Sequence, residues 1–185
     1  MAIKAYETPK EWYQCIDAGT AAVRRPYALR QFRHPGIPRI TFYHIPSFTD
    51  ATGWTIYLKP RREGCGLQTV TWHQQADGDR MQNLMRGESA VETAEPTLTE
   101  TFEAIDSDWV ESRISELAKI VVPLHTNRPM GLDGESFGIH MRGEFQVEWW
   151  CDGPDEWREL ISWAQGCIGR FNINKGEHVV GGNGG

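Results

Sequence analysis

The chain predicts an α+β fold: a mostly antiparallel sheet of about five or six strands, with about three main helices packed mainly on one face. Three observations carry this. Apolar residues alternate with period two in several separate segments. They recur at helical spacing in others. Turn residues punctuate the boundaries between them. The clearest stretch is 132–171. Leu132-Asp133-Gly134 is a turn signal, because Asp bonds its own backbone and Gly accepts unusual dihedrals. Phe137, Ile139 and Met141 then alternate with Ser136, Gly138, His140 and Arg142, and Phe145, Val147 and Trp149 alternate with Gln146, Glu148 and Trp150. These two strands predict a hairpin. A two-residue loop would set one strand's polar face beside the other's apolar face, whereas a three-residue loop over 142–144 pairs Met141 with Phe145 and keeps the apolar sets together. That register puts His140 opposite Gln146 and Glu148 diagonal to His140, so His140, Arg142, Gln146 and Glu148 share one polar face.

After the hairpin, Pro154 suits the first helical position, and Asp155 and Glu156 suit the positive end of a helix dipole. Trp157, Leu160, Ile161, Ala164, Ile168 and Phe171 form the buried stripe of that helix, with Trp163 off the stripe. Toward the N-terminus, Ile3–Tyr6 reads as a short strand. Thr8-Pro9-Lys10-Glu11 is a capping box opening a helix that carries Trp12, Cys15 and Ile16 and ends near Gly19. Arg24–Pro38 reads as an extended connection. Ile40, Phe42 and Ile45 start a central strand; Trp54, Ile56 and Leu58 mark a second; Leu67–His73 is a third, and together they make a meander. Asp77 or Asp79 caps a short helix over Met81, Leu84 and Met85, and Glu88–Pro96 is a loop. Leu98, Phe102 and Ala104 mark a fourth strand. Asp106-Ser107-Asp108 caps a helix burying Trp109, Val110, Ile114, Leu117 and Val121. Residues 1–173 form one domain, and 174–185 form a glycine-rich tail whose composition predicts disorder.

Composition narrows the function classes. With 185 residues, the chain is long enough for one sizeable core. Its net charge of −6 argues against nonspecific nucleic-acid binding, which needs a basic field. No apolar run is long enough to span a membrane. No apolar segment follows Met1-Ala2-Ile3-Lys4, so no secretory signal is expected and the expected location is cytoplasmic. The four cysteines at 15, 65, 151 and 167 lack short ligand spacing, which predicts reduced thiols and neither a metal site nor any cofactor. Charge is segregated. Ala18–Thr49 holds five Arg and no acid, and Gly87–Ser112 holds eight acids and no Lys or Arg. Such blocks are ordinarily solvated surface, and here they could also attract each other.

The catalytic candidates are His140 and Glu148, since a carboxylate can orient a histidine as a general base. A solvent-facing pair on an open hairpin is the commoner outcome of that pattern. His73 has no inferred partner, His44 suits a satisfied core position, and Cys151 precedes a helix start that could lower its pKa. The binding candidates are Trp150, Arg142, His140 and Glu148. Among eight tryptophans, the cluster Trp149, Trp150 and Trp157 is the most distinctive. Trp149 belongs to the core face and Trp150 to the opposite one, near Ser136.

The set Leu132-Asp133-Gly134, Phe137, His140, Trp149-Trp150, Pro154 and Trp157 resembles uncharacterised small bacterial accessory proteins of the immunity or integron gene-cassette type. The resemblance covers about the last quarter of the chain and implies an α+β fold without assigning catalytic residues. Three functional readings follow. The first is a non-enzymatic binding protein, immunity-like, that recognises another protein through an exposed Trp150 and neighbouring charges. The second is a small-molecule-binding protein or small hydrolase, with a pocket on the polar face of the 136–150 hairpin covered by Arg24–Pro38 or Glu88–Pro96. The third is a homodimer in which the Arg block meets the acidic block.

Overall fold

A computed structural model describes residues 10–28, 36–59, 64–86, 95–123, 134–141, 143 and 145–177. Helix α1 spans Lys10–Arg24 and leads into a 3-10 turn at Pro26–Ala28. Strands β1 (Ile37–Pro46), β2 (Ala51–Leu58) and β3 (Cys65–Trp72) follow, then α2 (Gln74–Met85), β4 (Leu98–Ile105) and α3 (Ser107–Leu117). The chain closes with β5 (Glu135–Met141), β6 (Phe145–Trp150), a 3-10 turn at Asp155–Trp157 and α4 (Arg158–Glu177). The six strands form one antiparallel sheet in the order β4-β3-β2-β1-β5-β6. The predicted class and strand number hold.

The β5–β6 hairpin has the register that its hydrophobic pattern demands: Met141 faces Phe145, Ile139 faces Val147 and His140 faces Gln146. A slip of one residue would turn Ile139 and Trp149, now buried, out of the core. The hairpin docks on the free edge of the meander, β5 against β1.

Alternation along the strands sorts the sheet into two unlike faces. Ile40, Phe42, Trp54, Ile56, Leu67, Ile139, Met141 and Trp149 point to one side, where Val110 and Leu117 of α3 and Leu160, Trp163, Cys167 and Phe171 of α4 close the main core. Phe171 is its pivot, edge-on to Phe42 at 5.4 Å and to Trp109 at 5.9 Å between ring centroids. The opposite face holds Tyr43, Ala51 and Trp72 under Val23 of α1. It also carries polar cross-strand bonds, Thr41 to Thr55 and Tyr57 to Gln68. The three main helices and the short helix α2 are present, but the main ones do not share a face: α3 and α4 lie on one side and α1 on the other. Two apolar stripes require two covers, and the Trp72 and Tyr43 stripe forms a second, smaller core.

Four local expectations change. Helix α1 does not stop near Gly19 but runs to Arg24. Gly19 is buried within it as a seat for Trp72: a Cβ there would lie 2.3 Å from the indole. Helix α2 starts at Gln74, so Asp77 is no cap but a buried residue of the helix. Asp106 does cap α3, accepting from the N–H groups of Asp108 and Trp109, but the helix ends at Leu117 and leaves Val121 86% exposed. Trp163 is buried, donates its indole N–H to the carbonyl of Arg113 and packs on Phe42. Helix α4 continues past residue 173 to Glu177. The expected strand at Ile3–Tyr6, most of the Glu88–Pro96 loop and residues 178–185 lie outside the described residues.

Two helix glycines should respond oppositely to alanine. Alanine gains roughly 0.5–1 kcal/mol of helix propensity over glycine. Gly166 in α4 has open space around its Cβ position, so Gly166→Ala should stabilise by about that amount. At Gly19 the methyl meets a rigid, buried ring, so Gly19→Ala should be net destabilising by about 1–3 kcal/mol. Urea unfolding of the two variants measures both. Equal stabilisation by both would overturn the seating of Trp72 on α1.

A tryptophan-lined cleft

At the end of the sheet, a cleft of about 550 Å³ opens where β1 ends and β5 begins, lined by residues of both faces. Its walls take Trp12 from α1, Trp72 from the end of β3, Trp149 and Trp150 from the end of β6, and Trp157 from the 3-10 turn before α4. Glycines let these rings come close to backbone. A Cβ at Gly134 would lie 2.8 Å from the Trp150 ring, and one at Gly153 would lie 3.0 Å from Trp149. The polar lining includes Arg24, Glu148, Ser136, Ser47, Gln74 and Asp77. A cavity of this size, mostly apolar with a few convergent polar groups, is the usual form of a small-molecule site.

The sequence-predicted residues separate here. Glu148 and Trp150 line the cleft. Trp150 is half-buried in its wall opposite Ser136, where an exposed platform was one expectation. His140 does not join them. Its Nδ1 pairs with the hydroxyl of Tyr27 at 3.1 Å, and Glu148 instead accepts from Arg24 at 2.5 Å and from Ser136 at 2.8 Å, all on Oε1 for the carboxylate. The predicted diagonal between His140 and Glu148 exists as register but not as a hydrogen-bonded pair, because α1 and the turn after it supply a closer partner to each. Arg142 lies outside the described residues. The polar face of the hairpin is thus where the end of α1 is fastened. Burial, then the nearby Arg25 charge, lowers the pKa of His140 below its ordinary value.

Asp77 anchors the other side of the cleft. It is 2% exposed. It accepts from the Trp72 indole at 2.8 Å, from the Thr97 N–H at 2.8 Å and from the Thr97 hydroxyl at 2.7 Å. Arg80 lies 3.1 Å away, and the thiol of Cys15 points at it from 3.5 Å. Burial by itself would raise the carboxyl, but the Thr97 bonds, the Trp72 N–H and Arg80 together outweigh it and hold Asp77 below the usual range. Burial and the Asp77 charge push the Cys15 thiol up to about 11, so at neutral pH it is no nucleophile.

His73 and His44 lie outside the lining. His73 bridges Asp50 at 2.8 Å and Thr99 at 2.6 Å, tying the β1–β2 turn to edge strand β4. His44 stacks on Phe137 with centroids 4.4 Å apart and reaches Glu135. Cys151 is exposed, and its φ of +49° is unusual for a non-glycine residue. Among the described residues, no group of three His, Cys, Asp or Glu could hold a metal ion, and no helix is long and apolar enough to cross a membrane. Sequence reasoning missed Arg24, Asp77, Trp12 and Trp72 as site residues. Only the density of tryptophan hinted at them.

Two outcomes test these anchors. Asp77→Asn replaces an acceptor-only group by one that turns an N–H₂ toward existing donors and removes the carboxylate that Arg80 pairs with. It should destabilise by about 3–5 kcal/mol in urea unfolding. Because folding depresses the Asp77 pKa, its stabilisation is present above the unfolded value and is lost as pH falls below about 4; the variant's stability should fall less steeply there. His140 is also depressed, so its contribution is present above about pH 6.5 and is lost as pH falls through its lower folded value. Thermal melts from pH 8 to pH 5 should therefore show declining stability, and His140→Gln should flatten that decline. An unchanged slope would remove His140 from this role.

A scan against protein-family models finds no match for this chain, and neither a curated protein nor a solved structure matches it.

Proposed function

We propose that this chain is a non-enzymatic binding protein whose ligand is a small molecule held in the tryptophan-lined cleft. The observation that carries this reading is the convergence of five indole side chains from four parts of the chain on one concavity of about 550 Å³. Burial of aromatic surface is the largest source of affinity such a site can offer. The chemistry of the lining supports binding over turnover. Glu148 is engaged by Arg24 and Ser136, Asp77 is saturated by donors, Cys15 is held as a thiol, and neither His73 nor His140 reaches the cavity.

A second reading, recognition of another protein, has separate support on the side of the sheet that α3 and α4 cover. An apolar groove there is lined by Ile114, Leu117, Ile120, Val121, Met141 and Phe145, with Val121 86% exposed. Apolar surface of that kind is common at protein interfaces.

The cleft reading is tested by a fragment screen read by melting temperature and by intrinsic tryptophan fluorescence. A ligand at 100 times its Kd adds about 2.7 kcal/mol, or roughly 5–10 °C for a chain of this size. Thr20 lines the cleft from α1, so Thr20→Met should obstruct it with little cost to the fold. Aromatic fragments should shift the wild type and lose most of that shift in Thr20→Met. Hits indifferent to Thr20→Met, or a screen without aromatic hits, would sink the reading.

A further inference from the structure

The polar lining of the cleft points to a ligand class, an inference that rests on the small-molecule reading above. Three charged side chains line the cavity: Arg24, Asp77 and Glu148. Asp77 is compensated by Arg80 and by its hydrogen-bond donors. Arg24 and Glu148 compensate each other at 2.5 Å, and their side chains are 39% and 35% exposed. A net anion would meet the Glu148 carboxylate, and a net cation would meet the Arg24 guanidinium. Each would have to compete with a pair already made, in a mostly apolar cavity where unpaired charge is costly.

An uncharged ligand with a donor beside an acceptor escapes both penalties. Arg24 and Ser136 both bond Oε1 of Glu148, and the side chain stays 35% exposed, so the carboxylate keeps acceptor capacity that a guest can reach. The guanidinium has spare donors, since its bond to Glu148 uses Nη2 alone and the side chain is 39% exposed. The rest of the wall is indole. Trp12 and Trp150 are only partly buried and, among the described residues, pair with no other aromatic ring, which leaves ring surface for a flat guest.

We propose that the cleft takes an uncharged, planar, fused heteroaromatic lactam. Its ring N–H donates to the Glu148 carboxylate, its carbonyl accepts from Arg24, and its ring body lies among the tryptophans. The pair itself stays closed.

Isothermal titration of the full chain with five bicyclic probes of similar size tests this: 2-quinolinone, N-methyl-2-quinolinone, quinoline-2-carboxylate, N-methylquinolinium and naphthalene. The lactam should bind tightest. Methylating its nitrogen removes one charge-assisted bond and should weaken binding by about tenfold or more. Glu148→Gln should weaken 2-quinolinone by about tenfold while leaving naphthalene within about twofold, and Thr20→Met, which leaves the pair intact, should weaken every probe that binds. Tighter binding of the carboxylate, the quinolinium or the hydrocarbon, with sensitivity to Thr20→Met, would overturn the lactam class while leaving the cleft as a ligand site. Absence of binding by all five probes would overturn both.

Discussion

The hydrogen bond from the Trp72 indole to the buried carboxylate of Asp77 is the constraint on which the polar side of this molecule depends. Trp72 ends β3, and Asp77 lies in the first turn of α2, so the bond fixes the angle at which the chain leaves the sheet. The same carboxylate receives Thr97 at the entrance to β4 and the Cys15 thiol of α1. The face of the same indole receives Gly19 of α1. One residue pair thus joins two strands and two helices. A buried carboxylate is tolerable only when such donors replace its lost water. Here the donors come from α1, β3, α2 and the segment before β4, so the carboxylate is satisfied only when all four are in place. That makes the junction cooperative, and it also makes it the floor of the cleft.

The far wall is set by a different kind of contact. Helix α1 packs on β1, β2 and β3. It meets the β5–β6 hairpin through two side-chain bonds near its C-terminal end, Arg24 to Glu148 and Tyr27 to His140. The hairpin's polar residues are therefore not idle surface, and they are not arranged for proton transfer either. They hold the end of α1 at a fixed distance from β6. Behind them the Tyr43 hydroxyl is buried beside the Glu148 carboxylate, and burial, with the Glu148 charge next, raises its phenol above the ordinary value. The Arg24 guanidinium lies 5.4 Å from the Tyr43 ring centre and is held from that side as well.

What could be read from the sequence was governed by range. The β5–β6 hairpin, its loop and its register follow from a period of two over about a dozen residues, and Asp106 capping follows from its immediate neighbours. Glu148 and Trp150 could be placed on one face because register is local. Their partners could not. Arg24 and Glu148 are 124 positions apart, and Tyr27 and His140 are 113 apart. No periodicity links such pairs. Asp77 shows the same limit from the other direction. An aspartate near a helix start reads as a cap, since local rules cannot see that an indole five residues earlier and a threonine twenty residues later will turn inward to meet it. Gly19 was misread for a related reason. Glycine ordinarily signals a helix end, and only the arrival of Trp72 explains it in mid-helix.

The cleft itself follows from the inequality of the two sheet faces. The apolar face is continuous from β3 to β6, so α3 and α4 can cover it with a single core. The other face changes character along the sheet. Under α1 it offers Tyr43, Ala51 and Trp72, but on β5 and β6 it offers Ser136, Gly138, His140, Glu148 and Trp150. A helix gains little by lying flat on that second half, where polar groups would have to be desolvated one by one. It is more favourable for α1 to stay on the apolar half and reach the hairpin through an ion pair and a hydrogen bond. The space left between them is lined by the large rings that finish β3 and β6 and begin α4. A concavity built this way is preformed, because its walls are held by the core on one side and by the Asp77 junction on the other. Preformed walls reduce the ordering cost of taking up a ligand. The features that make the polar half poor packing material for a helix thus make it suitable for a guest that brings its own matching donor and acceptor.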